Sequence, residues 1–156
     1  MGISITTEEK MDHQDEYYDN LITMLELIWG EGYMTPGGSG NVEKLFNGIE
    51  TAGKRILDIG CGLGGQAFEM VNTFGADVVG IDLEAPLIKR ATEAATKRGL
   101  QDRCKFHAVK AGALDFPDQS FDIVATSAAI TQVKDKANIF GESYRVLKPG
   151  VYLTCH

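Results

Sequence analysis

The stretch that most constrains this chain is LDIGCGLGG at residues 57–65, where a short apolar run breaks into closely spaced glycines. Arg55–Ile59 reads as a strand and 66–74 as a helix, so the glycines form the turn between them. Glycine at this density marks a sharp turn or a close approach of backbone to ligand. The turn therefore predicts a strand–turn–helix unit with a ligand at its tip, and the pattern downstream repeats that unit.

Residues 77–81 (DVVGI) read as a second strand. Pro86 suits the first position of a helix over 86–98, and Gly99 suits its stop. Strands are expected over 105–109, 121–125 and 151–155, with a turn at 116–120 and a helix over 137–147. Alternation of this kind implies right-handed crossovers and a parallel sheet covered on both faces. The expected fold is an α/β, Rossmann-like, doubly wound sheet that stops after about five strands.

Ahead of it, 12–29 carries apolar residues at Tyr17, Leu21, Leu25 and Ile28, a helical stripe closed by Gly30. A glycine-rich loop follows, then a short helix on Val42, Leu45, Phe46 and Ile49. The expectation is one domain over 1–156, with a helical lid and loop in 1–50 and the Rossmann-like core in 54–156.

Composition narrows the partners. The net charge is −7 with the acids dispersed, which argues against nucleic acid, because phosphate backbones are gripped by clustered Lys and Arg. No apolar run approaches the ~20 residues that span a bilayer, and no secretory leader is read at the start. Cys61, Cys104 and Cys155 are far apart and read as reduced thiols of a cytoplasmic protein. His13, His107 and His156 are scattered, so no metal site is expected.

Two cofactors compete for the glycine turn. Gly60, Gly62 and Gly65 match the GxGxxG dinucleotide spacing, with Asp82 about 20 residues on. Asp58 decides between them. A pyrophosphate wants backbone N–H groups and no neighbouring anion, whereas S-adenosylmethionine (SAM) brings an ammonium and a sulfonium to the same place. Asp82, with two acceptor oxygens, suits the ribose hydroxyls of either cofactor. Cys61 lies near a helix N-terminus that could lower its pKa, but it reads as a small residue fitting the turn.

LDIGCGLGG, VVGID, FPDQSFDIV and YRVLKPG, in that order across 55–150, resemble the successive motifs of class I SAM-dependent methyltransferases. Tyr17 followed by the 28–38 segment IWGEGYMTPGG is similar to the lid of the phosphoethanolamine and sarcosine/dimethylglycine N-methyltransferase group. The resemblance implies cofactor contacts at Met34 and Thr35 in the lid, and at Asp58, Gly60, Cys61, Gly62 and Gly64 in the turn. It implies further contacts at Asp82, Leu83, Lys110 and Ala111, with Tyr17 as the catalytic tyrosine and S-adenosylhomocysteine as product.

The chain departs from that pattern at three places. Lys110 stands where the group has an aspartate accepting from the adenine amino group, and a lysine can only donate. Ala128 replaces a second aspartate. Gln132 replaces the histidine paired with the tyrosine, and glutamine takes up no proton near neutral pH. The expected function is N-methylation of a small amine such as phosphoethanolamine or a glycine derivative. The alternative is a catalytically degenerate SAM-binding or interaction domain. The group's sheet has seven strands, so an open edge at 151–155 is expected to make a homodimer.

Overall fold

The computed structural model describes residues 7–127 and 129–155, except for the side chains of 7–17, 151, 152 and 155. The elements run α1 (Thr7–Trp29), α2 (Gly40–Phe46), β1 (Arg55–Ile59), α3 (Gly65–Asn72), β2 (Asp77–Asp82), α4 (Ala85–Lys97), β3 (Cys104–Ala108), β4 (Phe121–Thr126), α5 (Ala129–Gln132), α6 (Lys136–Val146) and β5 (Leu147–Cys155). The strands form one sheet in the order β3-β2-β1-β4-β5, and every pairing is parallel. Each expected strand is present. β5 begins four residues earlier than expected, and its register against β4 shifts between Phe121 and Ile123, the irregularity expected of a bulge. α5 was not expected; four residues are too few to show a period.

Alternate residues of the central strands feed two separate cores. Ile56, Val78 and Ile123 pack under α2 and α3 with Phe46, Ala67, Phe68, Met70 and Val71. Their neighbours Leu57, Val79 and Val124 face the other way, with Phe121 and with Val146 of α6. A strand covered on both faces reads as a continuous apolar run, which is why RILDI and DVVGI lack polar alternation. Phe46 is 2% exposed and is a packing residue.

Two of the quoted motifs meet in space. Arg145 of YRVLKPG donates to the carbonyls of Leu114 and Phe116 and to the carboxylates of Asp118 and Glu142. Glu142 in turn accepts from the Leu114 N–H, and Arg145 holds its carboxyl well below the usual range. The FPDQSFD turn is thereby stapled to α6.

The lid helix corrects the expected stripe. Among its described side chains the fully covered one is Ile22, in a cluster with Leu63 and Leu87 against Tyr18 and Met34, while Leu21 and Leu25 of the expected stripe are half-buried. Ile28 is 57% exposed. The second half of α1 carries Tyr18, Leu21, Ile22, Met24, Leu25, Leu27 and Ile28 on more than one ridge, so periodicity does not choose which ridge faces inward. Among the described residues no helix is long and apolar enough to cross a membrane.

Candidate binding site

β1 lies between β2 and β4, so the chain leaves it toward one side and later returns on the other. Crevices open at the C-terminal ends of strands at such a reversal, and Asp58, Gly60, Asp82 and Ser127 all lie there. The turn after β1 is held by its own backbone: Gly60 and Cys61 donate to the Ile81 carbonyl at 2.8 and 3.1 Å, and Gly64 donates to Cys61. Gly60 has φ +77°, and a Cβ there would come within 2.1 Å of the Ala129 side chain. Only glycine fits between β1 and α5.

Asp82 ties the turn to β2. One carboxylate oxygen accepts from the Gly62 N–H at 2.9 Å and the other from the Glu84 N–H at 3.0 Å. A carboxylate has about four lone-pair sites, so two remain for a ligand.

A cavity of about 50 Å³ lies beneath the lid loop, lined by Met34, Thr35, Asp58, Gly60, Cys61, Gly62, Gln66 and Ser127, among others. Among the described residues, two buried side-chain polar atoms lack a hydrogen-bond partner, Oδ2 of Asp58 and Nε2 of Gln66. Both residues line this cavity. Asp58 is 1% exposed; burial, and secondly the Asp82 charge, push its carboxyl up to about 7. A buried polar atom without a partner is costly, and an unpartnered acceptor and an unpartnered donor on the lining of one small cavity make it the candidate binding site.

The lid loop is locked over this cavity. Gly65 donates to the Gly32 carbonyl at 3.1 Å, Gly32 donates to Glu26 at 2.7 Å, and the Tyr33 hydroxyl donates to Glu69 at 2.6 Å. Arg98 pairs with Glu31, and Arg90 with Asp19 of α1.

The structure brings together Met34, Thr35, Asp58, Gly60, Cys61 and Gly62 of the residues expected at the cofactor. Gly64 faces elsewhere: a Cβ there would meet the Phe106 and Phe68 rings at 2.8 and 3.1 Å, so it serves packing. Leu83, Lys110 and Ala111 are exposed at or just beyond the ends of β2 and β3. Gln132 is exposed at the end of α5. The side chain of Tyr17, and Ala128 altogether, lie outside the described residues. The Cys61 thiol is pushed well up by burial and by the charges of Asp58 and Asp82, the opposite of an activated thiol. Gln66 was missed by the sequence reading. Its one available signal is its place directly after the glycine turn, in the first turn of α3.

Residues 50–156 match the methyltransferase domain family. The chain belongs to that family. Phosphoethanolamine N-methyltransferase 3 of Arabidopsis thaliana is 34% identical over 136 residues, covering 86% of this chain and 27% of that protein. A Haemonchus contortus phosphoethanolamine N-methyltransferase, solved with phosphomonomethylethanolamine and S-adenosylhomocysteine, superposes with a TM-score of 0.83 at 32% identity, over 90% of this chain and 33% of that one. A putative sarcosine dimethylglycine methyltransferase from Galdieria sulphuraria gives 0.68 at 27% identity, over 74% and 43%. This methyltransferase domain chain thus spans between a quarter and a half of the length of these relatives, and the part it spans carries the glycine turn and the sheet.

Proposed function

We propose that this chain binds SAM in the crevice above β1, β2 and β4 and is the cofactor-binding part of a methyltransferase acting on a small amine. The observation that carries this reading is the buried, unpartnered Oδ2 of Asp58 beside the glycine turn. An anionic pyrophosphate there would meet a carboxylate, whereas the ammonium of SAM neutralises it. Asp82 keeps lone pairs for the ribose hydroxyls, Met34 and Thr35 cover the cavity, and Leu83, Lys110 and Ala111 stand where the adenine would lie.

When bound, the cofactor supplies a methyl group on a sulfonium, open to in-line displacement by an amine nitrogen. The chain's part is to hold the reacting groups in line and exclude water. We assign Tyr17 to positioning the acceptor amine or taking its proton, with Gln132 giving only a hydrogen bond. The relatives named for phosphoethanolamine and for sarcosine and dimethylglycine favour phosphoethanolamine or a glycine-type amine as acceptor. The dispersed acidic charge argues against nucleic acid, and the reduced cysteines favour the cytoplasm. The alternative of a degenerate interaction domain draws on the departures at Lys110, Ala128 and Gln132.

Calorimetric titration with SAM and with NAD tests the cofactor, and release of S-adenosylhomocysteine with phosphoethanolamine or sarcosine tests the chemistry. SAM is expected to bind and NAD not to; NAD binding without SAM would overturn the reading. With glutamine in place of a general base, turnover is expected to be slower by roughly 10²–10⁴-fold than that of an enzyme with the tyrosine–histidine pair. Asp82→Ala removes charge-assisted bonds worth roughly 1.5–3 kcal/mol, so SAM should bind about ten- to hundredfold more weakly. Unchanged affinity would show that Asp82 only braces the turn.

Among the described residues β5 pairs with β4 alone. Residues 151–155 contain no charge and no proline, the usual protections of an edge strand, and Leu153 is 39% exposed. We assign this edge to a second copy of the chain. Light scattering at micromolar concentration should report twice 17.0 kDa, and Leu153→Lys should return the folded monomer; a wild-type monomer at that concentration rules the dimer out.

A further inference from the structure

The cavity under the lid holds two unpartnered polar atoms, and the mechanism above uses only one. Asp58 Oδ2 is an acceptor that a cation satisfies, while Gln66 Nε2 is a donor that needs an acceptor. Gln66 is the second residue of α3, and its amide nitrogen is buried although the residue as a whole is half-buried. The cavity's volume of about 50 Å³ suits an end group of a few heavy atoms and not a whole nucleoside, whose pockets run to roughly 300 Å³ or more. A fixed cation acceptor and a fixed donor in so small a space are complementary to a zwitterion. A lone ammonium would leave the amide unsatisfied, and a lone carboxylate would meet Asp58.

We propose that Gln66 donates its side-chain N–H to the carboxylate of the ligand's α-amino-acid end, and so makes this pocket selective for nucleosides carrying an intact amino acid. The proposal rests on the SAM reading and names the residue that discriminates within it. An amide donor facing a carboxylate is a charge-assisted bond, lost selectively when either side of it is removed.

The test measures dissociation constants of the full chain and of Gln66→Met and Gln66→Glu for three thioether nucleosides. These are S-adenosylhomocysteine, its decarboxylated aminopropyl counterpart, and 5′-methylthioadenosine, which has neither charged group. Gln66→Met preserves length and volume while removing the donor; it is expected to weaken S-adenosylhomocysteine about ten- to hundredfold. The two ligands without a carboxylate should change less than about twofold, which also establishes that the variant is folded. Gln66→Glu should weaken S-adenosylhomocysteine further, because it sets one carboxylate against another.

Equal losses for all three ligands would mean that Gln66 merely packs, and the proposal falls. Tighter binding of S-adenosylhomocysteine by Gln66→Glu would mean that the amide oxygen faces the ammonium, and it falls again. If the wild type binds S-adenosylhomocysteine and Gln66→Met binds it as well, the assignment alone fails. If the wild type binds none of the three, the SAM reading fails and takes the assignment with it.

Discussion

Asp58→Asn should make the ligand-free protein more stable at pH 8 while removing most of its affinity for SAM. The Asp58 carboxyl is fully buried, and its desolvation, reinforced by the Asp82 charge, pushes it up to about 7. Cys61 and Tyr33 also feel its charge, and neither is cationic. In the unfolded chain an aspartate ionises near 3.9. A carboxyl whose folded pKa is raised gives up its proton more readily on unfolding, so stability falls as pH rises from about 4 to 7. Above 7 the penalty is complete, at about 4 kcal/mol.

Asparagine has no charge to desolvate, so the variant should melt about 10 °C higher at pH 8, and the gap should close as pH is lowered toward 4. SAM, by contrast, requires the ionised carboxylate. Wild-type affinity should fall about tenfold per unit below pH 7 and should be highest between the titration of Asp58 and that of the ligand's own amino group, at about 8. The variant should bind on the order of 10²-fold more weakly at pH 8. Differential scanning calorimetry across pH, with titrations at the same points, checks both halves. A variant no more stable than wild type and equally tight for SAM would show that Asp58 is neither desolvated nor in contact with the ligand.

Gly65→Ala is the second large effect, and it acts on the lid. A Cβ at Gly65 would lie 2.6 Å from the Gly32 carbonyl oxygen and 2.7 Å from its carbon. These are backbone atoms, so no side-chain rotation relieves the overlap. Gly65 opens α3 with an ordinary helical φ, and alanine there causes no strain of its own. The overlap can be relieved only by moving the 30–35 segment outward. That breaks the Gly65-to-Gly32 hydrogen bond and draws Tyr33 away from Glu69. Overpacking of this kind costs about 1–3 kcal/mol.

Because Met34 and Thr35 cover the cavity, SAM affinity should fall by about tenfold or more, and amide exchange should accelerate at Gly32–Thr35. Gly141→Ala is the matched control. It lies on the exposed face of α6 with nothing within 4 Å of an added Cβ, and should stabilise by about 0.5–1 kcal/mol. If Gly65→Ala behaved like Gly141→Ala, with lid exchange and SAM binding unchanged, the interlock between lid and glycine turn would be wrong.

What could be read from the sequence is what depends on local chemistry. The glycine turn follows from residues that are neighbours along the chain, because backbone torsion is a local property. The five strands and their order of appearance follow from apolar runs broken by Gly, Pro and Asp. Asp58 and Asp82 could be singled out because each sits at a fixed step from a strand end. Only the tertiary structure decided the rest. α1 offers several apolar ridges, and it is Leu63 and Leu87, 41 and 65 residues away in number, that select Ile22. Gly64 and Gly65 look alike in sequence, yet one faces the Phe68 and Phe106 rings and the other the Gly32 carbonyl. Arg145 shows its purpose only where α6 meets the 114–118 turn. Gln66 is an unremarkable polar residue until the lid, β1 and α3 close around it, because a missing hydrogen-bond partner is a property of a folded surrounding and is not written in any segment of the chain.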